Sequence, residues 1–110
     1  MSAATTVLAV YKPRAGLEEE FEILLRSHYP TLNRLRLVTD SGARLLKSPA
    51  DGTYLELFEW LSEKAIGIAH ESAEVKALWG RLEEVAQYST LSELQESTRP
   101  FARFEHVATL

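Results

Sequence analysis

Residues 53–61, TYLELFEWL, constrain the fold more than any other stretch of the chain. They alternate as a strand does, but both faces carry large apolar groups. Tyr54, Glu56, Phe58 and Trp60 share one face, while Leu55, Leu57, Glu59 and Leu61 share the other. A strand of this kind needs a cover on each side. A second run, TTVLAVYK at 5–12, is likewise apolar on both faces and stops at Pro13. Two such strands predict a sheet between two layers, one of helices and one of something else.

The helices are readable from their spacing. After Gly16, Leu17, Phe21, Leu24, Leu25 and His28 fall on one helical face, with Glu18, Glu19, Glu20 and Glu22 on the others. Most of these acids sit near the positive end of the helix dipole. Pro30 is expected to break this helix and start a short second piece through Leu35. Residues 37–48 read as a strand with a bulge or bend near Ser41-Gly42, and Pro49-Ala50-Asp51-Gly52 as a hairpin turn. Ser62 is placed to cap the helix SEKAIGIAHE. Ser72 is placed to cap another, whose stripe is Val75, Leu78, Trp79, Leu82, Val85 and Ala86. Thr90 and Glu93 fit a capping box for a short turn, and FARFEHV after Pro100 reads as the last strand. The order is β-α-β-β-α-β with its second helix in two pieces. It predicts an α+β, ferredoxin-like sandwich with a four-stranded antiparallel sheet. The cheapest source of a second cover is another copy of the chain, burying roughly 800 Å² or more per subunit.

Composition narrows the function. A chain of 110 residues is expected to form one domain over 1–110. Its net charge is -4 with acids and bases interspersed, which argues against nucleic acid. Without cysteine there is no disulfide, thiolate catalyst or cysteine-held metal, which fits a cytoplasmic setting. The apolar part of the N-terminus spans only Val7 to Tyr11, too short for a signal peptide or membrane span.

YLELFEW at 54–60, SEKAIGIAHES at 62–72 and VKALW at 75–79 carry a resemblance to the dimeric α+β barrel superfamily, and within it to antibiotic biosynthesis monooxygenase-type domains. The order from VLAVYK to RPFARFEHV extends it over nearly the whole chain. The resemblance implies a homodimer joined through the open sheet faces to form a barrel. It also implies a pocket in each subunit between sheet and helices. In the cofactor-free oxygenases of that superfamily an electron-rich phenol or hydroquinone is deprotonated and reacts with oxygen directly, with neither flavin nor metal. The superfamily also holds lactone isomerases, haem-degrading enzymes and small proteins without known activity, so activity does not follow from fold.

Each candidate residue has two readings. Trp60 is a core aromatic or a wall that stacks on an aromatic ligand. His70 serves the C-terminal end of its helix, or takes a proton from a phenol. His28 lies on an apolar stripe and needs a partner; it is a satisfied core histidine or the leading pocket base. Trp79 reads as core. Tyr11, Glu56, Glu59 and Arg103 are strand polar groups for cross-strand pairing or proton handling. The expected site has His28 and His70 as catalytic candidates, with Tyr11, Phe58, Trp60 and Phe104 around a small aromatic ligand. His28, His70 and His106 come from separate elements with no ligand spacing, so no metal is expected. Haem degradation is disfavoured because TTVLAVYK lacks the Asn of that branch, Trp79 stands where its ligand His belongs, and Ala69 stands near its Trp. The remaining alternative is a non-catalytic dimeric module that binds a small molecule.

Overall fold

The computed structural model describes residues 3–110. Strand β1 (Thr5–Pro13) leads to helix α1 (Glu18–Arg34). Strands β2 (Arg44–Lys47) and β3 (Tyr54–Trp60) follow, then helices α2 (Glu63–Glu71) and α3 (Ala73–Val85), and last strands β4 (Ala86–Ser89) and β5 (Glu105–Thr109). The strands form one antiparallel sheet in the order β4-β1-β3-β2-β5. The fold is therefore α+β, compatible with a ferredoxin-like arrangement, but its sheet has five strands and not the expected four. The added strand is β4. Ala86, the last residue of the expected α3 stripe, instead leaves the helix and pairs with Pro13, opening the strand AQYS. No described helix is long and apolar enough to cross a membrane.

The whole of β3 pairs with β1, from Thr5 opposite Trp60 to Tyr11 opposite Tyr54. This register places Val7, Ala9, Tyr11, Tyr54, Glu56, Phe58 and Trp60 on the face beneath the helices. The hairpin joining β2 to β3 turns where Asp51-Gly52 predicts. Ser48 N–H donates to Thr53 O at 2.7 Å, Gly52 adopts φ 78°, and Asp51 Oδ1 accepts from Thr53 N–H at 3.0 Å. Ser62 and Ser72 cap α2 and α3 by accepting from Ala65 N–H and Val75 N–H. Thr90 precedes a short 3-10 turn without a side-chain cap, so no capping box forms there.

One other expectation is corrected. Pro30 does not break α1, which runs through it as one helix. Proline removes one backbone donor, but Pro30 lies on the exposed side, while Leu25, His28, Tyr29 and Leu32 are buried on the other. Tyr29 fixes this end by donating to Thr39 O and accepting from Gly42 N–H. Of the bulge or bend expected near Ser41-Gly42 the structure has the bend, a turn at 40–41 followed by Gly42 at φ 83°, while a separate register shift lies between Leu45 and Leu46 in the pairing of β2 with β5. A Cβ on Gly42 would stand 2.3 Å from Leu110 O, so glycine is required both by conformation and by space.

The helices bury two adjoining clusters against the sheet. One gathers Tyr29, Leu32, Phe58, Trp60 and Val75; the other gathers Phe21, Leu25, Leu45, Tyr54 and Leu82. The opposite sheet face is covered in part by the chain itself. Leu94 of the segment between β4 and β5 is buried against Val10 and Leu55, and Glu96 accepts from Ser48 Oγ at 2.8 Å. Leu8, Leu91 and Phe101 stay exposed on and around that face.

Candidate functional site

The polar groups on the helix-facing side of the sheet are joined. Glu56 projects from the middle of β3 and is fully buried. Tyr11, two residue pairs along the β1–β3 ladder and on the same face, donates its hydroxyl to Glu56 Oε1 at 2.7 Å. His28, from the apolar stripe of α1, brings Nδ1 to 2.8 Å from Oε2 and 3.0 Å from Oε1. Trp79 of α3 donates its indole N–H to His28 Nε2 at 2.9 Å. An indole nitrogen only donates, so Nε2 is the acceptor and the ring hydrogen sits on Nδ1, aimed at the carboxylate. The line of bonds thus runs from Trp79 to His28 to Glu56, with Tyr11 entering the carboxylate from the other side. Four elements meet at one acid, and each buried polar group has its partner.

A cavity of ≈ 380 Å³ opens beside this network. Its walls include Tyr11, His28, Phe58, Trp60, His70 and Trp79, with Ile66, Glu83 and Tyr88 toward the opening. The aromatic rings stand edge to face: Phe58 and Trp60 at 5.3 Å between centroids, His28 and Phe58 at 5.7 Å, His70 and Trp79 at 5.0 Å. Such walls suit a flat aromatic ligand, and the volume holds a small one. A larger depression of ≈ 510 Å³ lies on the opposite sheet face, bordered by Leu8, Leu55, Leu91, Leu94 and Phe104. It contains no comparable hydrogen-bonded chain.

The structure brings together five of the six expected site residues. His28, Tyr11, Phe58 and Trp60 are buried in the wall, and His70 stands exposed at the rim. Phe104 is the exception. It lies outside β5, ahead of Glu105, and packs beside Leu94 on the opposite face. His106 is exposed on the edge strand β5, away from both other histidines' helices. Trp79 is only half-buried, with its ring against both core clusters and its N–H in the network. Glu56, read from sequence as a strand polar group for pairing or proton handling, and Trp79, read as core, join the site although neither belongs to the expected set. The signal for Glu56 was present: an acid between Tyr54 and Phe58 on an otherwise apolar strand face.

Electrostatics follow from this burial. The Tyr11 hydroxyl is held well above the usual phenol range, first by burial, then by the Glu56 charge and the hydrogen bond to it. Tyr88 is raised by burial, then by Glu83 and Glu56. Tyr54, outside the cavity, is raised by burial and by its bond to Glu22. A raised phenol keeps its proton in the folded protein after the unfolded chain has lost it. For the buried Tyr11 the stability this contributes is full below pH ~10 and is lost as pH rises through the folded value, by about 1.4 kcal/mol per pH unit, while Tyr88, more than half exposed, contributes less. Tyr11→Phe should make this decline shallower by about 1.4 kcal/mol per unit in urea denaturation between pH ~10 and ~11.5. Parallel slopes for the two proteins would contradict the assignment.

The chain matched no protein-family model, no characterised protein and no solved structure. The site is therefore read from its own geometry.

Proposed function

We propose that the chain is a cofactor-independent monooxygenase acting on a small electron-rich aromatic molecule bound in the cavity beneath the helices. One observation carries this reading: His28 is oriented through Nδ1 by a buried carboxylate, leaving Nε2 as the basic nitrogen toward an aromatic cavity. That is the arrangement of a general base with its orienting acid. The resemblance to antibiotic biosynthesis monooxygenase-type domains supports the choice of oxygen chemistry. His28 Nε2 takes the phenol's proton, and the resulting imidazolium lies beside Glu56. The phenolate ring forms a carbon–oxygen bond to O₂, and the hydroperoxide takes a proton. Loss of the ring C–H and cleavage of O–O then give a quinone and water. All four electrons that reduce O₂ come from the substrate, so no outside reductant is needed. His70 at the rim contributes to binding. In this reading the exposed part of the far sheet face is covered by a second copy, giving a homodimer.

A second reading has its own observation. The indole of Trp79 already occupies Nε2, as expected of a network that only holds the fold or a module that only binds. Oxygen uptake with α-naphthol separates the two. The oxygenase reading expects saturable uptake of one O₂ per naphthoquinone formed. It expects His28→Gln to slow this by about 10²–10⁴-fold, with the fold retained by circular dichroism. Binding of α-naphthol without uptake above the buffer rate would leave the binding module.

A further inference from the structure

The lone pair of His28 that faces the cavity is capped. Trp79 Nε1 stands 2.9 Å from His28 Nε2, and the same indole packs edge-on to His70, with centroids 5.0 Å apart. Nδ1 is committed to Glu56, so Nε2 has no other role in this tautomer than to accept. A ligand that reaches Nε2 must therefore move the indole N–H away. If it supplies its own O–H donor, one hydrogen bond replaces another. If it has no donor, the histidine nitrogen, on a side chain that is itself buried, and the indole N–H both lose a partner, and that loss opposes binding.

Charge adds a second condition. Glu56 lies buried behind the cavity and Glu83 stands on its border, while no lysine or arginine lines it. Burial first, and these carboxylates second, raise the phenols of Tyr11 and Tyr88. An anionic ligand would meet the charge of Glu56 and Glu83 there, with His70 at the rim as the one side chain outside the hydrogen-bonded line able to oppose it among the described lining residues.

We infer that the cavity selects neutral aromatic ligands carrying a free hydroxyl, which donates to His28 Nε2 in place of the Trp79 indole N–H, and rejects O-methylated and carboxylated relatives. This rests on the reading of the cavity as an aromatic-ligand site, but not on turnover. It makes Trp79 a specificity-determining residue: its indole sets the hydrogen-bonding test that each ligand must pass. When a proton is subsequently taken from the hydroxyl, it moves to the nitrogen that the hydroxyl already contacts, and no other group has to rearrange.

The test is binding, measured by calorimetry, with the indole N–H signals followed by ¹⁵N-resolved NMR. The chain has two tryptophans, and Trp79→Phe identifies the Trp79 signal. α-Naphthol is expected to bind and to move the Trp79 signal upfield as its hydrogen bond is lost. α-Naphthyl methyl ether should bind about 10- to 100-fold more weakly. A hydroxynaphthoate should bind more weakly than its own neutral amide. Ether and naphthol affinities within about threefold of each other would overturn the inference, as would a Trp79 signal unmoved at saturation. Displacement of the indole without oxygen uptake would leave this inference standing and remove the oxygenase. Quinone formation with no discrimination between naphthol and ether would do the reverse. Failure of every one of these compounds to bind would overturn both.

Discussion

Glu56→Ala is expected to lower folding stability by about 3–5 kcal/mol, measured by urea denaturation at neutral pH. Glu56 is fully buried and accepts from both Tyr11 and His28. Its removal strands two donors, each costing roughly 1–3 kcal/mol when left unpaired, and opens a void between sheet and α1. Glu56→Gln keeps one acceptor oxygen, and the Tyr11 hydroxyl can turn to accept from the new amide. Its loss should be smaller, about 1–2 kcal/mol. Coupling gives the sharper measurement. Tyr11→Phe should cost clearly less in the Glu56→Ala background than in the wild type, because its partner has already gone. If Glu56→Ala lost under about 1 kcal/mol, or if the two substitutions were additive, the network would not be what holds β1, β3 and α1 together at this point.

This network marks the boundary of what local sequence conveys. The strand TYLELFEWL, the stripe of α1, the Asp51-Gly52 hairpin and the serine caps rest on interactions within a few residues of each other, and they appear where spacing predicts. His28 was legible as a polar group on an apolar stripe in need of a partner, and Glu56 as a lone acid on an apolar strand face. What joins them is the packing of α1 across β3, between residues 28 positions apart in the chain. No period of 2 or 3.6 encodes that. Trp79 lies on its predicted stripe but at the stripe's edge, which leaves it half in the core and half in the cavity. Beta-4 is four residues long with two of them exposed, and it exists because the end of α3 delivers Ala86 to the free edge of β1. Pro30 stayed inside a helix because the packing of Leu25, Tyr29 and Leu32 outweighs one missing backbone bond. Phe104 was assigned to the helix-facing side as part of a strand beginning at Phe101. The strand begins only at Glu105, and the segment before it crosses the opposite face.

That opposite face carries the other large effect. In the proposed homodimer, Leu8→Glu should weaken association by about 10- to 50-fold, read from sedimentation across a dilution series. Leu8 stands opposite Leu57 in the middle of the sheet, is 39% exposed, and borders the far-side depression. A twofold interface presents each substituted residue twice. Full burial of an exposed leucine is worth roughly 1.5–3 kcal/mol, and the exposed two fifths of two such side chains, about 1–2 kcal/mol in all, give the stated range before any repulsion between the new carboxylates. The folded monomer should tolerate the change, because Leu8 belongs to none of the buried clusters. Ile23→Glu is the control. Ile23 is 64% exposed on α1, on the helical side of the molecule, and its replacement should leave the association unchanged. A wild-type chain that sediments as a monomer at high micromolar concentration would end the dimer reading, as would a Leu8→Glu dimer of undiminished strength. Neither result would touch the cavity. Its wall residues and the whole line from Trp79 to Tyr11 come from one chain and lie across the sheet from Leu8, so the Leu8→Glu protein should still bind α-naphthol as the wild type does.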